Sequence, residues 1–246
     1  MKQGFFTVVR QDALARGILR MELEGDVSAV TQPGQFVEIA LPGFFLRRPI
    51  SVCDCHDDRL VLIYKVVGAG TETMATLGSG AQLDILTGLG HGFDAEGCGV
   101  SPLLVGGGVG VPPLYLLARR LLEKGVHPDA VLGFNRADEV FYAREFEDLG
   151  VRVVLATADG SAGVRGFVTD ALPGEATKAY ACGPMPMLRA LDKTLPEGLP
   201  AEFSLEERMG CGFGACMGCS IMTRLGSRRV CKDGPVFARD VLVWDN

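Results

Sequence analysis

The chain has 246 residues, of which 48% are hydrophobic, and a formal net charge of −6 at pH 7. This length allows one large domain or two ordinary domains with a buried core. An acidic chain without a basic run argues against nucleic acid as a partner. The sequence lacks the roughly 18 consecutive apolar residues of a membrane span.

The N-terminal residues become polar within the first ten or so positions, which predicts no signal peptide and therefore a cytoplasmic protein. In that compartment thiols stay reduced. The eight cysteines of the chain then indicate metal binding, catalysis or packing rather than disulfides.

Residues 1–98 contain short β-rich runs separated by Gly, Pro and Asp turns. The runs span residues 5–9, 18–23, 35–40, 50–52, 60–67 and 81–86. Short strands with no long helix between them predict an antiparallel barrel. One helical turn is predicted at residues 71–77.

Residues 99–203 alternate between apolar strands and helices, which predicts a parallel sheet with crossover helices. The predicted strands span residues 103–105, 130–134, 151–156 and 179–182. The predicted helices span residues 112–124, 139–149 and 185–194. Ligands of such sheets bind beyond the carboxyl ends of the strands. Residues 204–246 show little periodicity and contain four cysteines.

A possible phosphate site lies in the barrel half, where Arg48, Pro49, Ile50 and Ser51 follow one another. An arginine fork binds oxyanions in a bidentate manner, and the serine hydroxyl can point at the same ligand. A plain surface strand is the alternative. The turn that contains Gly70 and Thr71 follows a strand, and its backbone amides can cradle phosphate. Together the two features favour a dinucleotide.

A glycine-rich turn in the second half contains Gly107, Gly108 and Gly110, between a predicted strand and a predicted helix. That is the place of a phosphate-binding turn, although the sequence is not the G-x-G-x-x-G fingerprint. No acidic residue stands at the end of the next predicted strand, where Phe134, Asn135 and Arg136 occur instead. A plain strand–helix connection is the alternative reading.

The segment Cys182, Gly183 and Pro184 occupies the equivalent edge of the sheet, after another apolar strand. It can therefore meet the same ligand. The cysteine either touches a nicotinamide there or is a buried structural residue.

Four cysteines near the C-terminus have the spacing C-x4-C-x2-C followed by a fourth cysteine. This order is the plant-type spacing of a [2Fe–2S] cluster, whose irons favour thiolates. The predicted ligands are Cys211, Cys216, Cys219 and Cys231.

Glycines in the loop give its backbone the freedom to wrap a small core. Nearby cationic side chains can offset the negative charge of the cluster, and these are Arg208, Arg224, Arg228, Arg229 and Lys232. A structural zinc site and free thiols are the alternatives. The cysteines at 53, 55 and 98 are predicted to be packing residues.

These motifs in this order resemble the ferredoxin–NADP reductase superfamily. With the cysteine loop at the C-terminus, the chain resembles the family of electron-transfer subunits of type B dihydroorotate dehydrogenases. The resemblance implies an FAD-binding barrel at residues 1–98, an NAD-binding α/β domain at 99–203 and a [2Fe–2S] domain at 204–246.

In that family, three segments hold FAD. They match Arg48–Ser51, the strand residues Ile63, Tyr64 and Lys65, and the turn at Gly70 and Thr71. The triple-glycine turn and the segment at Cys182 line the NADH side, and the four cysteines hold the cluster. The loop at residues 87–92 departs from the family pattern, which implies an altered loop shape.

The resemblance implies electron transfer from NADH through FAD and the cluster to the FMN of a partner catalytic subunit, in a two-plus-two heterotetramer. That partner interconverts dihydroorotate and orotate in pyrimidine biosynthesis. No residue of this chain is expected to act as a catalytic acid or base. Two alternatives remain. One is the small subunit of an NADH-dependent ferredoxin:NADP oxidoreductase or sulfide dehydrogenase, and the other is a non-enzymatic nucleotide sensor that binds zinc.

Overall fold

The computed structural model describes residues 1–244. Its first half is the predicted closed antiparallel barrel, with strand order β1-β2-β5-β4-β3-β6. The barrel strands are β1 (Lys2–Ala15), β2 (Ile18–Glu24), β3 (Phe36–Ile39), β4 (Arg48–His56), β5 (Arg59–Lys65) and β6 (Gln82–Leu89).

Strand β6 closes the barrel because it pairs with both β1 and β3, and its residues alternate between buried and more exposed positions with a period of two. The buried set, which includes Leu83 and Ile85, faces the barrel core. The short helix α1 (Ala69–Ala75) packs on the barrel through the fully buried Met74. It confirms the predicted helical turn, shifted by two residues.

The second half is a seven-stranded sheet with order β10-β9-β8-β7-β11-β12-β15, in which only the pair β12–β15 is antiparallel. In chain order its elements are β7 (Pro102–Gly107), α2 (Pro112–Glu123), β8 (Asp129–Phe134), α3 (Ala143–Asp148), β9 (Arg152–Thr157), β10 (Val164–Arg165), β11 (Lys178–Cys182), α4 (Met185–Thr194) and β12 (Ala201–Ser204). The four predicted strands and three predicted helices of this half are present.

The helix predicted at residues 139–149 is shorter than expected. Residues Ala137–Glu139 form a 3-10 turn, and Tyr142 adopts a left-handed conformation with φ 63°. A positive φ at a bulky residue interrupts an α-helix. The helix therefore begins only at Ala143.

The C-terminal segment has regular structure that its weak periodicity did not predict. It contains the hairpin β13 (Ser220–Thr223) and β14 (Gly226–Arg229), the single helical turn α5 (Val230–Asp233) and β15 (Val236–Ala238). Each strand has only three or four residues, too few to show a period. Strand β15 completes the sheet of the second half beside β12. The domain boundary after residue 203 remains a prediction.

Three apolar clusters hold these parts together. One fills the barrel, one lies between barrel and sheet, and one joins the sheet to the C-terminal segment. The predicted packing cysteines Cys53, Cys55 and Cys98 are all buried in the first two. Among the described residues, no helix is both long enough and apolar enough to cross a membrane.

Candidate functional site

A cleft of about 960 Å³ lies between the barrel and the carboxyl edge of the sheet. This volume is in the range of small-molecule and cofactor sites. The sheet contributes five predicted residues to its lining, namely Gly107, Gly108, Gly110, Gly183 and Pro184. The barrel contributes Arg16, Gly17, Ile18, Lys65 and Val66.

The two glycine turns meet because β7 and β11 are parallel neighbours, with Gly106 paired to Cys182. A β carbon on Gly110 would lie 2.2 Å from the carbonyl oxygen of Cys182, so only glycine allows the two turns this close approach. The sequence-predicted turns therefore form one continuous floor of the cleft.

Cys182 itself is buried beneath this floor and does not line the cleft. Burial raises the pKa of its thiol to about 12. The side chain is thus a neutral thiol at neutral pH, and the predicted contact of Cys182 with a nicotinamide stays a prediction.

The residues directly after β8 are Asn135 and Arg136, as the sequence indicates, but two acidic residues follow shortly after them. Asp138 and Glu139 lie in the 3-10 turn just after that strand, and both line the cleft. The Asn135 side-chain amide donates to Glu139 Oε2 at 2.8 Å, and Arg136 Nε lies 3.2 Å from Asp138 Oδ1. These two acidic residues lie two and three positions after Arg136 in the sequence, beyond the end of the strand itself.

Arg48 and Gly70 meet at one end of the barrel. A β carbon on Gly70 would lie 2.0 Å from Arg48 Nε, so the guanidinium fills the space that this glycine leaves. The guanidinium also lies 4.6 Å from the centre of the Phe44 ring. Its Nη1 donates to the carbonyl of Leu46 at 2.5 Å, while within residues 1–244 its Nε and Nη2 donate no hydrogen bond.

An arginine fork with free donors beside a glycine turn suits a pyrophosphate. Thr71 closes that turn, because its hydroxyl accepts from the amides of Val67 and Gly68 at 2.9 and 3.2 Å. The residues therefore fit the diphosphate of a flavin dinucleotide.

Replacing Gly70 with Ala tests this contact. We expect the new methyl group to displace the Arg48 side chain and to weaken FAD retention, with little change in the thermal unfolding midpoint. The flexible side chain can move away at small cost in stability, but it then no longer faces the phosphate. Flavin content after dialysis is the measurement, and Gly78→Ala is the control because nothing lies within 4 Å of a β carbon there. Full flavin retention in Gly70→Ala would contradict the assignment.

The other predicted FAD residues differ in their surroundings. Pro49, Ile50 and Ser51 are half-buried in β4, in register with Glu38, Val37 and Phe36 of β3. These three residues lie on the strand that begins with Arg48.

In β5, Tyr64 is turned into the barrel, where its hydroxyl donates to Gln11 Oε1 at 2.8 Å. Ile63 packs in the core between barrel and sheet, and Lys65 lines the cleft. Of this segment, only the Lys65 side chain lies in the cleft, and the FAD-binding role of all three residues stays a prediction.

The four cysteines of the C-terminal loop form two pairs. The amide of Cys216 lies 3.4 Å from Cys211 Sγ, and the amide of Cys231 lies 3.4 Å from Cys219 Sγ. Within residues 1–244, no group of three or more Cys, His, Asp or Glu side chains is arranged to hold a single metal ion. Two pairs of thiolates suit a [2Fe–2S] core, in which four cysteines are shared between two irons.

Backbone amides point at these sulfurs. The amides of Ala215 and Cys216 lie 3.2 and 3.4 Å from Cys211 Sγ, and the amide of Gly218 lies 3.4 Å from Cys216 Sγ. Burial opposes ionisation of Cys211, but hydrogen bonds from the backbone of Cys216, Phe213 and Ala215 and from the Cys216 side chain lower its pKa to about 6. A thiolate is the form that ligates metal, and Cys211 favours that form, whereas burial raises the pKa of Cys231 to about 12. The backbone amides directed at sulfur fit a cluster-binding loop.

Two of the predicted cationic residues contact the loop. Arg229 Nη1 donates to the carbonyl of Gly214 at 2.8 Å, and the Lys232 side chain packs against the same glycine. Their positive charge can offset the negative charge of the cluster.

The cysteine loop packs on barrel strand β3, which is hydrogen-bonded to the strand that carries Arg48 and Ser51. A β carbon on Gly212 would lie 2.3 Å from Glu38 Oε1. Phe36 of β3 belongs to the same apolar cluster as Cys219 and Cys231. The predicted FAD segment therefore lies on the strand next to the one that the cysteine loop contacts, and neighbouring strands of a sheet are about 5 Å apart.

Comparison with known proteins agrees with this arrangement. Residues 206–243 match the iron-sulfur cluster binding domain of dihydroorotate dehydrogenase B, and residues 104–193 match the oxidoreductase NAD-binding domain. The dihydroorotate dehydrogenase B (NAD(+)) electron transfer subunit of Shouchella clausii (strain KSM-K16) is 45% identical over 251 residues, which cover 96% of each chain. The chain belongs to the family of dihydroorotate dehydrogenase B electron transfer subunits.

A second member of this family, from Geobacillus sp. (strain WCH70), is also 45% identical and matches 96% of this chain and 97% of its own. A chain in the solved structure of NADH-dependent reduced ferredoxin-NADP oxidoreductase has a TM-score of 0.89 and 29% identity, covering 98% of this chain and 90% of that one.

The family assignment confirms the predicted fold class and the NAD-dependent oxidoreductase class. It also confirms the iron–sulfur reading of the cysteine loop over the zinc-binding sensor. The individual ligand residues remain predictions.

Proposed function

We propose that this chain takes hydride from NADH and delivers electrons, one at a time, to the FMN of a dihydroorotate dehydrogenase catalytic subunit. FAD supplies the conversion between two-electron and one-electron transfer, and the [2Fe–2S] cluster carries single electrons. The family membership of the whole chain supports this function. So does the cleft that joins the barrel to the sheet.

The chain's own residues bind and orient. Arg48, Ser51, Gly70 and Thr71 would hold FAD, with the arginine fork on the diphosphate. The floor of the cleft, formed by the turns at Gly107–Gly110 and Gly183, would receive the diphosphate of NADH on backbone amides. The barrel residues that line the other side of the cleft would hold the nicotinamide against the flavin and exclude water.

NADH is favoured over NADPH by charge. Asp138 and Glu139 place two carboxylates in the cleft lining, and Arg136 beside them is paired with Asp138. A 2′-phosphate would meet this negative charge, whereas a ribose hydroxyl can donate to it.

One observation carries the proposal, namely the contact of the cysteine loop with strand β3, next to the predicted FAD segment. Cys216 is the exposed member of its loop, while Cys219 and Cys231 are buried against the protein. The loop thus has a side that packs near the flavin segment and a side that is open to a partner.

The partner would be the FMN-containing catalytic subunit, in a two-plus-two heterotetramer that serves pyrimidine biosynthesis. The cytoplasm is the proposed location, because all eight cysteines are free thiols in the structure and cluster ligands must stay reduced.

Coexpression with the catalytic subunit of the same organism tests this function. We expect the two chains to copurify and to oxidise NADH anaerobically when orotate is added, with one dihydroorotate formed for each NADH consumed. Neither chain alone should reduce orotate with NADH.

The matched comparison uses ferredoxin and NADP⁺ in place of orotate, since the similar ferredoxin-NADP oxidoreductase chain represents the alternative. NADH oxidation that depends on those acceptors, with none on orotate, would contradict the proposed function and favour that alternative.

A further inference from the structure

Glu38 is a buried carboxyl group at the contact between the barrel and the cysteine loop. It lies in the middle of β3, its side chain is 1% exposed, and its neighbours along the strand are Val37 and Ile39, which face the barrel core. Because side chains alternate along a strand, Glu38 points out of the barrel, toward Gly212 of the loop.

Both carboxyl oxygens of Glu38 are without a hydrogen-bond partner within residues 1–244. Arg47 and Arg48 lie near, but neither guanidinium group donates to these oxygens within residues 1–244. That of Arg47 binds Asp84 at 2.8 Å, and that of Arg48 donates to Leu46. Burial raises the pKa of Glu38 to about 7; Arg47 and Arg48 oppose this rise, and the charge of Cys211 adds to it.

An unpartnered buried carboxyl group destabilises a fold, and a native protein satisfies nearly all such groups. An apolar side chain of similar size would serve the packing of β3 better than glutamate does. The carboxyl group therefore points to a partner that is present only when the neighbouring loop is occupied.

The loop that Glu38 touches is the segment between Cys211 and Cys216, whose amides face sulfur. Groups that hydrogen-bond to metal-ligating segments fix the orientation of the ligands. Glu38 meets this loop at Gly212, the residue directly after Cys211, from the strand next to the predicted FAD segment.

We propose that Glu38 is a positioning residue for the cluster, whose carboxyl group hydrogen-bonds to the Cys211–Cys216 loop in the loaded protein and holds its geometry. The inference rests on the proposed function, because it requires that the loop holds a [2Fe–2S] cluster. It assigns to a barrel residue a role that the cysteine spacing does not reveal.

Two substitutions separate this role from simple packing. Glu38→Gln keeps a polar group of the same shape, and Glu38→Leu keeps the volume but removes hydrogen bonding. We expect Glu38→Leu to raise the thermal midpoint of the metal-free protein, because an unsatisfied carboxyl group is removed. In the loaded protein we expect it to lose iron to a chelator roughly tenfold faster and to change the g-values of the reduced cluster in electron paramagnetic resonance.

Glu38→Gln should restore wild-type iron retention and the wild-type spectrum. FAD content should be the same in all three proteins, which serves as the internal control. A Glu38→Leu protein with wild-type iron release and g-values would overturn the proposal. So would a Glu38→Leu protein that is destabilised equally with and without the cluster, since that is a packing effect. Absence of iron from the wild-type protein would instead overturn the proposed function.

Discussion

Replacing Cys216 with Ala should abolish the iron–sulfur cluster while the flavin remains bound. The amide of Cys216 lies 3.4 Å from Cys211 Sγ, so the two thiolates would share one iron, which would lose one of its two protein ligands. The FAD segment lies in the barrel and shares no residue with the loop. We expect iron and acid-labile sulfide to fall to background, the reduced-cluster signal in electron paramagnetic resonance to vanish, and flavin absorbance to persist.

The same variant should separate two activities. NADH-dependent reduction of ferricyanide needs the nicotinamide and flavin sites, and we expect it to survive. Orotate reduction in the complex with the catalytic subunit should fall by about two orders of magnitude or more, as expected when a required group is removed.

Cys98→Ala is the matched control, because this cysteine is buried between barrel and sheet and belongs to neither pair. It should keep iron, sulfide and both activities. Unchanged iron and sulfide in Cys216→Ala would remove the ligand assignment and with it the proposed route.

The iron–sulfur nature of the cysteine loop was predictable because a metal core imposes strict spacing on a short segment. The two glycine turns were predictable for a related reason, since glycine is required where Gly110 approaches the carbonyl of Cys182. In both cases the residues that indicate the site lie close together in the sequence.

Long-range contacts were not predictable in this way. Glu38 lies in a strand whose other residues are apolar. Only the folded structure shows that Gly212 of the cysteine loop, more than 170 residues later in the chain, packs against it. Asp138 and Glu139 were missed because the 3-10 turn that points them into the cleft has no sequence period. The strands of the C-terminal segment were missed because β15 forms on the edge offered by β12, a tertiary effect.

Arg48→Ala should weaken FAD binding while the barrel stays folded. The guanidinium is the charged group at the predicted diphosphate site, and a hydrogen bond to a charged partner contributes about 1.5–3 kcal/mol. This corresponds to a dissociation constant raised roughly ten- to a hundredfold. The fold should tolerate the change, because within residues 1–244 the hydrogen bonds of this side chain go only to the carbonyls of Leu46 and Arg47.

Equilibrium dialysis followed by flavin fluorescence gives the dissociation constant, and thermal unfolding of the flavin-free protein gives the stability. Arg48→Lys should lie between wild type and Ala, since it keeps the charge but not the planar fork. Arg10→Ala is the control, because that arginine is exposed on β1 and pairs with Asp12. If Arg48→Ala retained flavin as firmly as Arg10→Ala, the guanidinium would not face the diphosphate. The close approach of Arg48 to Gly70 would then be a packing contact of the barrel end.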